Sequence, residues 1–497
     1  MGGRLHGPGL RRWIVYLFFA AGLACIYRSL SPLRVAGMGY TAEEMKAGMQ
    51  LLGGSKVDMP RNGIVPVLVD LPFLAAAKLR RAEPPAIAQD VSLSRQPCWI
   101  TAGIATLILV WVHRATGSLG YGVLIAAISA FCTMFWPYAY IGLETKQSFF
   151  LLAAAFIVLQ GARRIAWIRV FAFAILLAFG ISAKSTGAFL LPTAAYLVLE
   201  YVLVFRAAHR TGELPRTGLM LRAALIAIVP LGVFLSNSWA RSLFWAQYGG
   251  SAAFIRPWMV EDPISPFLNV AAFFGSPNKG LWVFSPLCLL GCVALARAWR
   301  SERRLAVFTL LTLGGLAGGF ALLRNWSDET WGPRYLHTAI APLMIVFAVV
   351  WRRERNVGRA VVGAAAVLGF AAALIGVMFP YTSLALAVNE TGQDTLQAYQ
   401  GDVELNHLRF NARLWGLWAK LSDDGKWGSG RQWFFDKPAD ACVVKAVDLH
   451  KYTVPQPVMF RDDTPDSDRS YLRRLMAAGL VLLGVGAYFA WRRMGSS

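Results

Sequence analysis

Carboxylates are scarce in this chain, 28 Asp and Glu against 49 Lys and Arg in 497 residues, so the places where they collect are informative. Glu43 and Glu44 are adjacent, Glu144 stands alone after Trp136-Pro137-Tyr138, and Glu261-Asp262 and Asp328-Glu329 form two further pairs. Three cations lie among them at the ends of apolar stretches. Lys184 sits in Ser182-Ala183-Lys184-Ser185-Thr186-Gly187, Lys279 follows Ser276-Pro277-Asn278, and Arg334 lies in Trp331-Gly332-Pro333-Arg334-Tyr335. A carboxylate within hydrogen-bond reach of a hydroxyl can take its proton as a general base. A second carboxylate can help hold a divalent cation, Mg or Mn. Arg offers phosphate a planar fork and Lys a point charge, and either can offset charge on a departing phosphate. The plainer account is that solvated loops carry mixed charge and that long cations at the ends of apolar segments reach toward headgroups.

The elements that must position these groups are apolar. The chain is 56% hydrophobic and 13% aromatic, with 15% charged residues and a mean hydropathy of +0.47. Soluble domains carry about 25% charged residues, so lipid is the expected solvent. Apolar runs occur at 13–29, 99–113, 120–138, 148–162, 166–182, 187–205, 222–240, 280–297, 305–323, 335–351, 358–379 and 472–491. At roughly 20 residues per crossing they predict an all-α polytopic bundle of about twelve spans. The run 64–77 is short and interrupted by Pro66, Asp70 and Pro72, which predicts a re-entrant or amphipathic segment in the first outer loop. The expected layout is a bundle over 1–380 with catalytic outer loops, a small extracytoplasmic domain over 381–471 and a last span with a short tail over 472–497.

The net charge of +21 invites a nucleic-acid reading, but the arginines fall in short clusters between apolar runs, with no phosphate loop or basic tail. With a cytoplasmic N-terminus, the inward connections hold Arg114; Arg163, Arg164 and Arg169; Arg206, Arg210, Arg216 and Arg222. Arg297, Arg300, Arg303 and Arg304, then Arg352, Arg353, Arg355 and Arg359, and finally Arg492 and Arg493 complete the set. The positive-inside rule predicts a multi-pass protein of a bacterial inner membrane with both termini cytoplasmic and the acidic loops outside. Arg80, Arg81, Arg473 and Arg474 are exceptions on the outer side. The run after Arg11 and Arg12 resembles a signal peptide but lacks a small-x-small cleavage site, and reads as a retained span. The cysteines have no zinc or disulfide spacing.

Read in order, these stretches resemble the GT-C superfamily of integral-membrane glycosyltransferases, in particular the bacterial branch of protein mannosyltransferases and the aminoarabinose transferase. The resemblance rests on Glu43-Glu44 followed by Pro60-Arg61-Asn62-Gly63-Ile64-Val65-Pro66, and on Trp136-Pro137-Tyr138 through Glu144. It extends to Ser276-Pro277-Asn278-Lys279-Gly280-Leu281 with Phe284-Ser285-Pro286, and to Trp331-Gly332-Pro333-Arg334-Tyr335-Leu336 with Pro342. Together they cover about residues 10–380. The resemblance implies inverting transfer from a polyprenyl-phosphate sugar, on the periplasmic side, to a lipid, glycan or protein acceptor. It implies Glu43 or Glu44 as the first-loop carboxylate, base or metal ligand, and Glu144 as the second acidic group. A divalent cation would then be held by Glu44 and Glu144. Lys184, Arg334 and Lys279 would contact the donor phosphate. The first-loop pattern departs from the family's, since Ala42-Glu43-Glu44-Met45 replaces an Asp-Glu or Gly-Asp pair, and the choice between the two glutamates stays open.

Two other functions fit parts of this pattern. A transporter would suit twelve spans, with Asp70 as an ion site, although the two halves show no likeness and few ionisable groups fall in mid-span. A lipid-linked-sugar flippase would use the phosphate-binding cations without needing the acidic pair.

Overall fold

The computed structural model describes residues 8–30, 39–79, 96–142, 144–160, 165–247, 259–276, 279–323, 331–352, 356–379, 407–421 and 466–491, with a few positions between them. Asp328, Glu329, Arg80, Arg81 and most of 381–471 lie outside the described residues.

In chain order the helices begin with α1 (Pro8–Leu30), α2 (Gly39–Gly53), α3 (Ile64–Leu79) and α4 (Gln96–Thr116). Next are α5 (Leu119–Phe131), α6 (Phe135–Ile141), α7 (Thr145–Gln160) and α8 (Trp167–Ser182). A 3-10 turn (Ser185–Leu190) leads into α9 (Leu191–Arg210), followed by α10 (Arg216–Ala246), α11 (Ser265–Gly275), α12 (Leu281–Phe284) and α13 (Pro286–Ser301). After α14 (Arg303–Ala321) and a second 3-10 turn (Arg334–Leu336) come α15 (His337–Trp351), α16 (Asn356–Met378), α17 (His407–Trp418) and α18 (Asp466–Trp491). The described strands are a two-residue antiparallel pair, β1 (Lys426–Trp427) and β2 (Val447–Asp448). The protein is an all-α polytopic bundle.

Helix is the outcome that satisfies every backbone donor and acceptor within the segment, which lipid demands. Prolines mark several starts. Pro192 and Pro266 fall in the first two positions of α9 and α11, and Pro286 opens α13, where the missing N–H costs nothing. Each of the twelve apolar runs is helical, and among the described residues eight helices are long and apolar enough to cross a membrane. The other four runs make shorter helices of 13 or 16 residues: α5, α7, α8 and α13. The run 120–138 divides between α5 and α6 because Cys132 and Thr133 leave the helical path ahead of Pro137.

Packing gives the bundle two chemically different ends. At one, Arg114 on α4 donates to the Gln160 carbonyl at the end of α7 (3.0 Å), and Arg222 on α10 donates to the Ile165 carbonyl before α8 (3.0 Å). Arg352 after α15 reaches the Thr116 carbonyl, and Arg304 on α14 pairs with Glu200 on α9 (3.2 Å). Those contacts place the arginine-rich connections together. The opposite end collects the starts of α7 and α15 and the ends of α8, α10 and α14, so successive helices alternate in direction. The separation read from charge alone is present in the packing.

The run 64–77 forms α3, which folds back on α2. Leu74 is fully buried against Met45, Met49 and Leu52, and Lys78 donates to the Leu52 carbonyl (3.0 Å). The described part of this loop is therefore a helical hairpin, and α3 is too short to count among the candidate spans. Of 381–471, α17 is the largest described element. It lies on α16, with Phe410 and Leu414 buried and Asn411 donating to the Phe379 carbonyl (3.1 Å).

Candidate active site

Glu43 and Glu44 are neighbours on α2, about 100° apart around its axis, and this sends them to different partners. Glu43 is gripped by Arg61. The Arg61 Nε donates to both carboxylate oxygens (3.1 Å each), its guanidinium terminus to Oε1 (2.6 Å), and its backbone N–H to Oε2 (3.1 Å). Glu44 is buried. Its Oε1 accepts from the Asn62 amide (3.1 Å) and its Oε2 from Lys146 Nζ (3.1 Å). Lys146 also donates to Asp70 on α3 (2.8 Å) and to the Pro66 carbonyl (3.3 Å). A carboxylate has about four lone-pair sites. Arg61 engages both oxygens of Glu43 through three N–H groups, with Nε–H shared between them, whereas Glu44 accepts one bond on each oxygen. Burial pushes the Asp70 carboxyl up to about 6 against the pull of Lys146, with the Glu44 charge adding to the rise.

Glu144 precedes the first turn of α7 and is buried. It holds Lys184 through Oε1, and Arg334 Nε stands 3.8 Å from the same oxygen. Its Oε2 has no hydrogen-bond partner among the described residues. Tyr335 backs both cations: Lys184 lies 5.5 Å and the Arg334 guanidinium 4.6 Å from its ring centroid, and Arg334 also donates to its hydroxyl (2.8 Å). Such cation–π contacts offset part of the cost of desolvating the charges. Ser148, one turn along α7 from Glu144, bonds the Glu144 carbonyl (2.9 Å), His337 Nδ1 (2.9 Å) and Thr338 (3.1 Å), which ties the start of α15 to the start of α7.

The turn carrying Lys184 owes its shape to Gly187. A Cβ there would come within 1.7 Å of the Ile181 carbonyl oxygen, so no other residue allows the 3-10 turn to close on α8. Gly63 has the same role in the first loop. It adopts φ +80°, and a Cβ would meet Asn237 Oδ1 at 2.2 Å. Asn237, from α10, is the joint between the two halves of the site. It donates to the carbonyls of Asn62 (3.1 Å) and Ser182 (2.9 Å) and accepts from the Val65 N–H (3.2 Å). Glu44 and Glu144 are thus linked twice, through Lys146 two residues after Glu144 and through Asn62–Asn237–Ser182.

Lys279 is fully buried in the turn before α12, its N–H on Ser276 Oγ (3.3 Å). Glu261 and Asp262 stand apart from the cluster. Both are exposed, and Asp262 caps the start of α11 by accepting from the N–H groups of Ile264 (3.0 Å) and Ser265 (2.7 Å). The Ser265 hydroxyl holds the Asp262 carboxyl below its usual range.

The two carboxylates expected to share a divalent cation hold other partners in this structure. Glu44 and Glu144 each hold a lysine ammonium, and among the described residues no three His, Cys, Asp or Glu side chains group as metal ligands.

Several site residues escape a reading of the sequence. Lys146 carries one signal, since a lysine beside an apolar stretch two residues from Glu144 is unusual. Asn237 and Arg241 carry none beyond being polar inside the α10 run. Arg241 is about nine-tenths buried, and its one described hydrogen bond goes to Ser238 Oγ (2.9 Å).

No family model and no curated protein matches the chain. Among solved structures it is similar to the crystal structure of ArnT from Cupriavidus metallidurans bound to undecaprenyl phosphate, at 14% identity and a TM-score of 0.45, covering 98% of this chain and 76% of that one. At that identity and TM-score the likeness carries no argument about fold, site or activity.

Proposed function

We propose that the chain is a membrane glycosyltransferase of the GT-C type. It moves a sugar from a polyprenyl-phosphate donor to a hydroxyl of a lipid, glycan or protein. Transfer takes place at the carboxylate-bearing end of the bundle, the periplasmic side if the arginine-rich end faces the cytoplasm of a bacterial inner membrane.

The observation that carries this reading is the convergence of Lys184 and Arg334 on one buried carboxylate, Glu144. Two cations are gathered at one buried point where water is scarce. Buried charge is costly unless paired, so the site is complementary to an added anion. A donor phosphate supplies it while its hydrocarbon tail stays in lipid. Arg241 is a further buried cation at this end, available to the donor or to an anionic acceptor.

In this reading the acceptor hydroxyl approaches Glu44, whose remaining lone pairs accept its proton as the oxygen attacks the anomeric carbon. The bond to the phosphate oxygen breaks on the opposite face, and Lys184 and Arg334 stabilise the charge that builds there. Glu43 clamps Arg61 and so fixes the loop that carries Asn62. Glu144 keeps the two cations in place before the donor arrives.

The test is transfer of labelled sugar from polyprenyl phosphate by membranes containing each variant. Glu44→Gln is expected to lose about 10²–10⁴ in rate, the scale of a missing general base. Lys184→Ala and Arg334→Ala should each lose roughly 10²–10³. Unchanged transfer by Glu44→Gln would sink the base assignment. Substrate movement in proteoliposomes lacking a lipid-linked donor, with no transfer, would favour a carrier instead.

A further inference from the structure

At the arginine-rich end a cavity of about 750 Å³ opens between α1, α4 and α7 and extends inward as far as Phe149. Its walls are apolar and include Leu17, Leu107, Val110, Phe149 and Phe156, with Ala20, Gly103 and Thr106 providing the space. Along α4 the lining runs from Gly103 to Arg114, a rise of about 16 Å. That exceeds one leaflet's share of a hydrocarbon core roughly 30 Å thick, so an acyl chain fits lengthwise.

The mouth of the cavity is cationic and polar. Arg12 and Arg114 line it, and Trp13 beside them is 65% exposed, the placement of an interfacial aromatic. Arg114 is oriented by two contacts, its bond to the Gln160 carbonyl (3.0 Å) and its stacking on Phe156 (5.0 Å to the centroid). Tyr16 and His113 close the inner wall, joined by a 2.6 Å hydrogen bond. A polar, positively charged head compartment thus opens into an apolar channel of chain length. Its charge complements a phosphate headgroup, and clustered basic residues at a membrane surface favour anionic lipids.

We propose that this cavity is a binding site for an anionic phospholipid of the leaflet at the arginine-rich end, with one acyl chain in the channel and the phosphate between Arg12 and Arg114. A long polyprenyl chain overruns the channel, which favours a phospholipid as the occupant. The site is separate from the proposed transfer chemistry and stands without it.

The experiment measures lipid retained by the purified protein after delipidation and re-addition of phosphatidylglycerol or phosphatidylcholine, read by native mass spectrometry. The wild-type protein is expected to retain phosphatidylglycerol roughly tenfold over phosphatidylcholine. Arg12→Gln/Arg114→Gln should remove most of that preference. Ala20→Trp, which fills the channel without touching the charges, should reduce retention of both lipids. Arg206→Gln/Arg210→Gln, at the same end but outside the cavity, should leave the preference intact. Equal retention of the two lipids by the wild type, or loss of preference in the Arg206/Arg210 control alone, overturns the proposal. So does displacement of phosphatidylglycerol by an equimolar polyprenyl phosphate. If the double-arginine variant fails to fold, the Ala20→Trp result and the wild-type selectivity still decide.

Discussion

Glu43 and Glu44 differ by one position and hold different partners, and that difference separates their expected phenotypes. Both oxygens of Glu43 are held by Arg61, so in the proposed reaction Glu43 acts on the loop rather than on a substrate. Glu43→Gln should therefore cost less than about tenfold in transfer, against the 10²–10⁴ expected for Glu44→Gln. Equal losses in the same assay would return the choice to open. Lys146 is the residue on which stability depends most directly. It joins Glu44 and Asp70, whose side chains are 10% and 2% exposed, so Lys146→Met strands two buried carboxylates. Breaking a buried pair in this way costs about 3–5 kcal/mol, which should appear as a marked fall in thermal stability in detergent. A variant as stable as wild type would show that the cluster is less desolvated than its geometry indicates.

At the scale of elements, the site depends on three joints: the α2–α3 hairpin, the 3-10 turn after α8, and Asn237 on α10. Gly187→Ala drives a Cβ into the Ile181 carbonyl, so the turn must open and Lys184 must leave Glu144. The expected result is loss of transfer at least as large as that of Lys184→Ala, with the protein still inserted in the membrane, as judged by carbonate extraction. Asn237→Leu is nearly equal in size but removes the bonds to Asn62, Ser182 and Val65. It leaves two buried carbonyls and an N–H unsatisfied, each at about 1–3 kcal/mol. Faster proteolysis of the first outer loop should report the uncoupling of α3 from α8. Unchanged proteolysis would mean that the hairpin is held by α2 and α7 alone.

The whole molecule sorts charge between its two ends. Glu200 pairs with Arg304 at the arginine-rich end, while Glu44, Glu144 and Asp70 serve the other. Asp262→Cys and Arg210→Cys place thiols at opposite ends, and both positions are exposed. In intact cells a membrane-impermeant thiol reagent should label the Asp262 position, with the Arg210 position labelled after permeabilisation. Labelling of both from the same side would contradict the alternation of the helices. The terminal helices add a closure that no internal loop provides. α1 and α18 lie backbone to backbone where Gly22 and Gly479 meet, each too close to the other's carbonyl oxygen to accept a Cβ without a shift. Close approach of small residues is how helices gain packing in lipid, where burial of apolar surface drives association weakly.

The sequence by itself determined the solvent, the helices and the sorting of charge. Hydropathy and arginine spacing are local properties that lipid and the membrane potential act on directly, so the apolar runs and the two-ended layout were readable residue by residue. The interruption at Pro66, Asp70 and Pro72 was readable as a re-entrant or amphipathic segment, whereas the structure makes it one short helix, α3, that carries Pro72 within it. Tertiary structure decided which charges meet. Glu44 reaches Lys146 across 102 positions and Glu144 reaches Lys184 across 40. No local pattern encodes such pairings, because they depend on how α2, α7 and α8 are rotated against one another. It also showed that the carboxylates expected to hold a metal hold lysines. Asn237 lay inside an apolar run where nothing marked it as the joint, and only the packing of α10 against the first loop gave it that role.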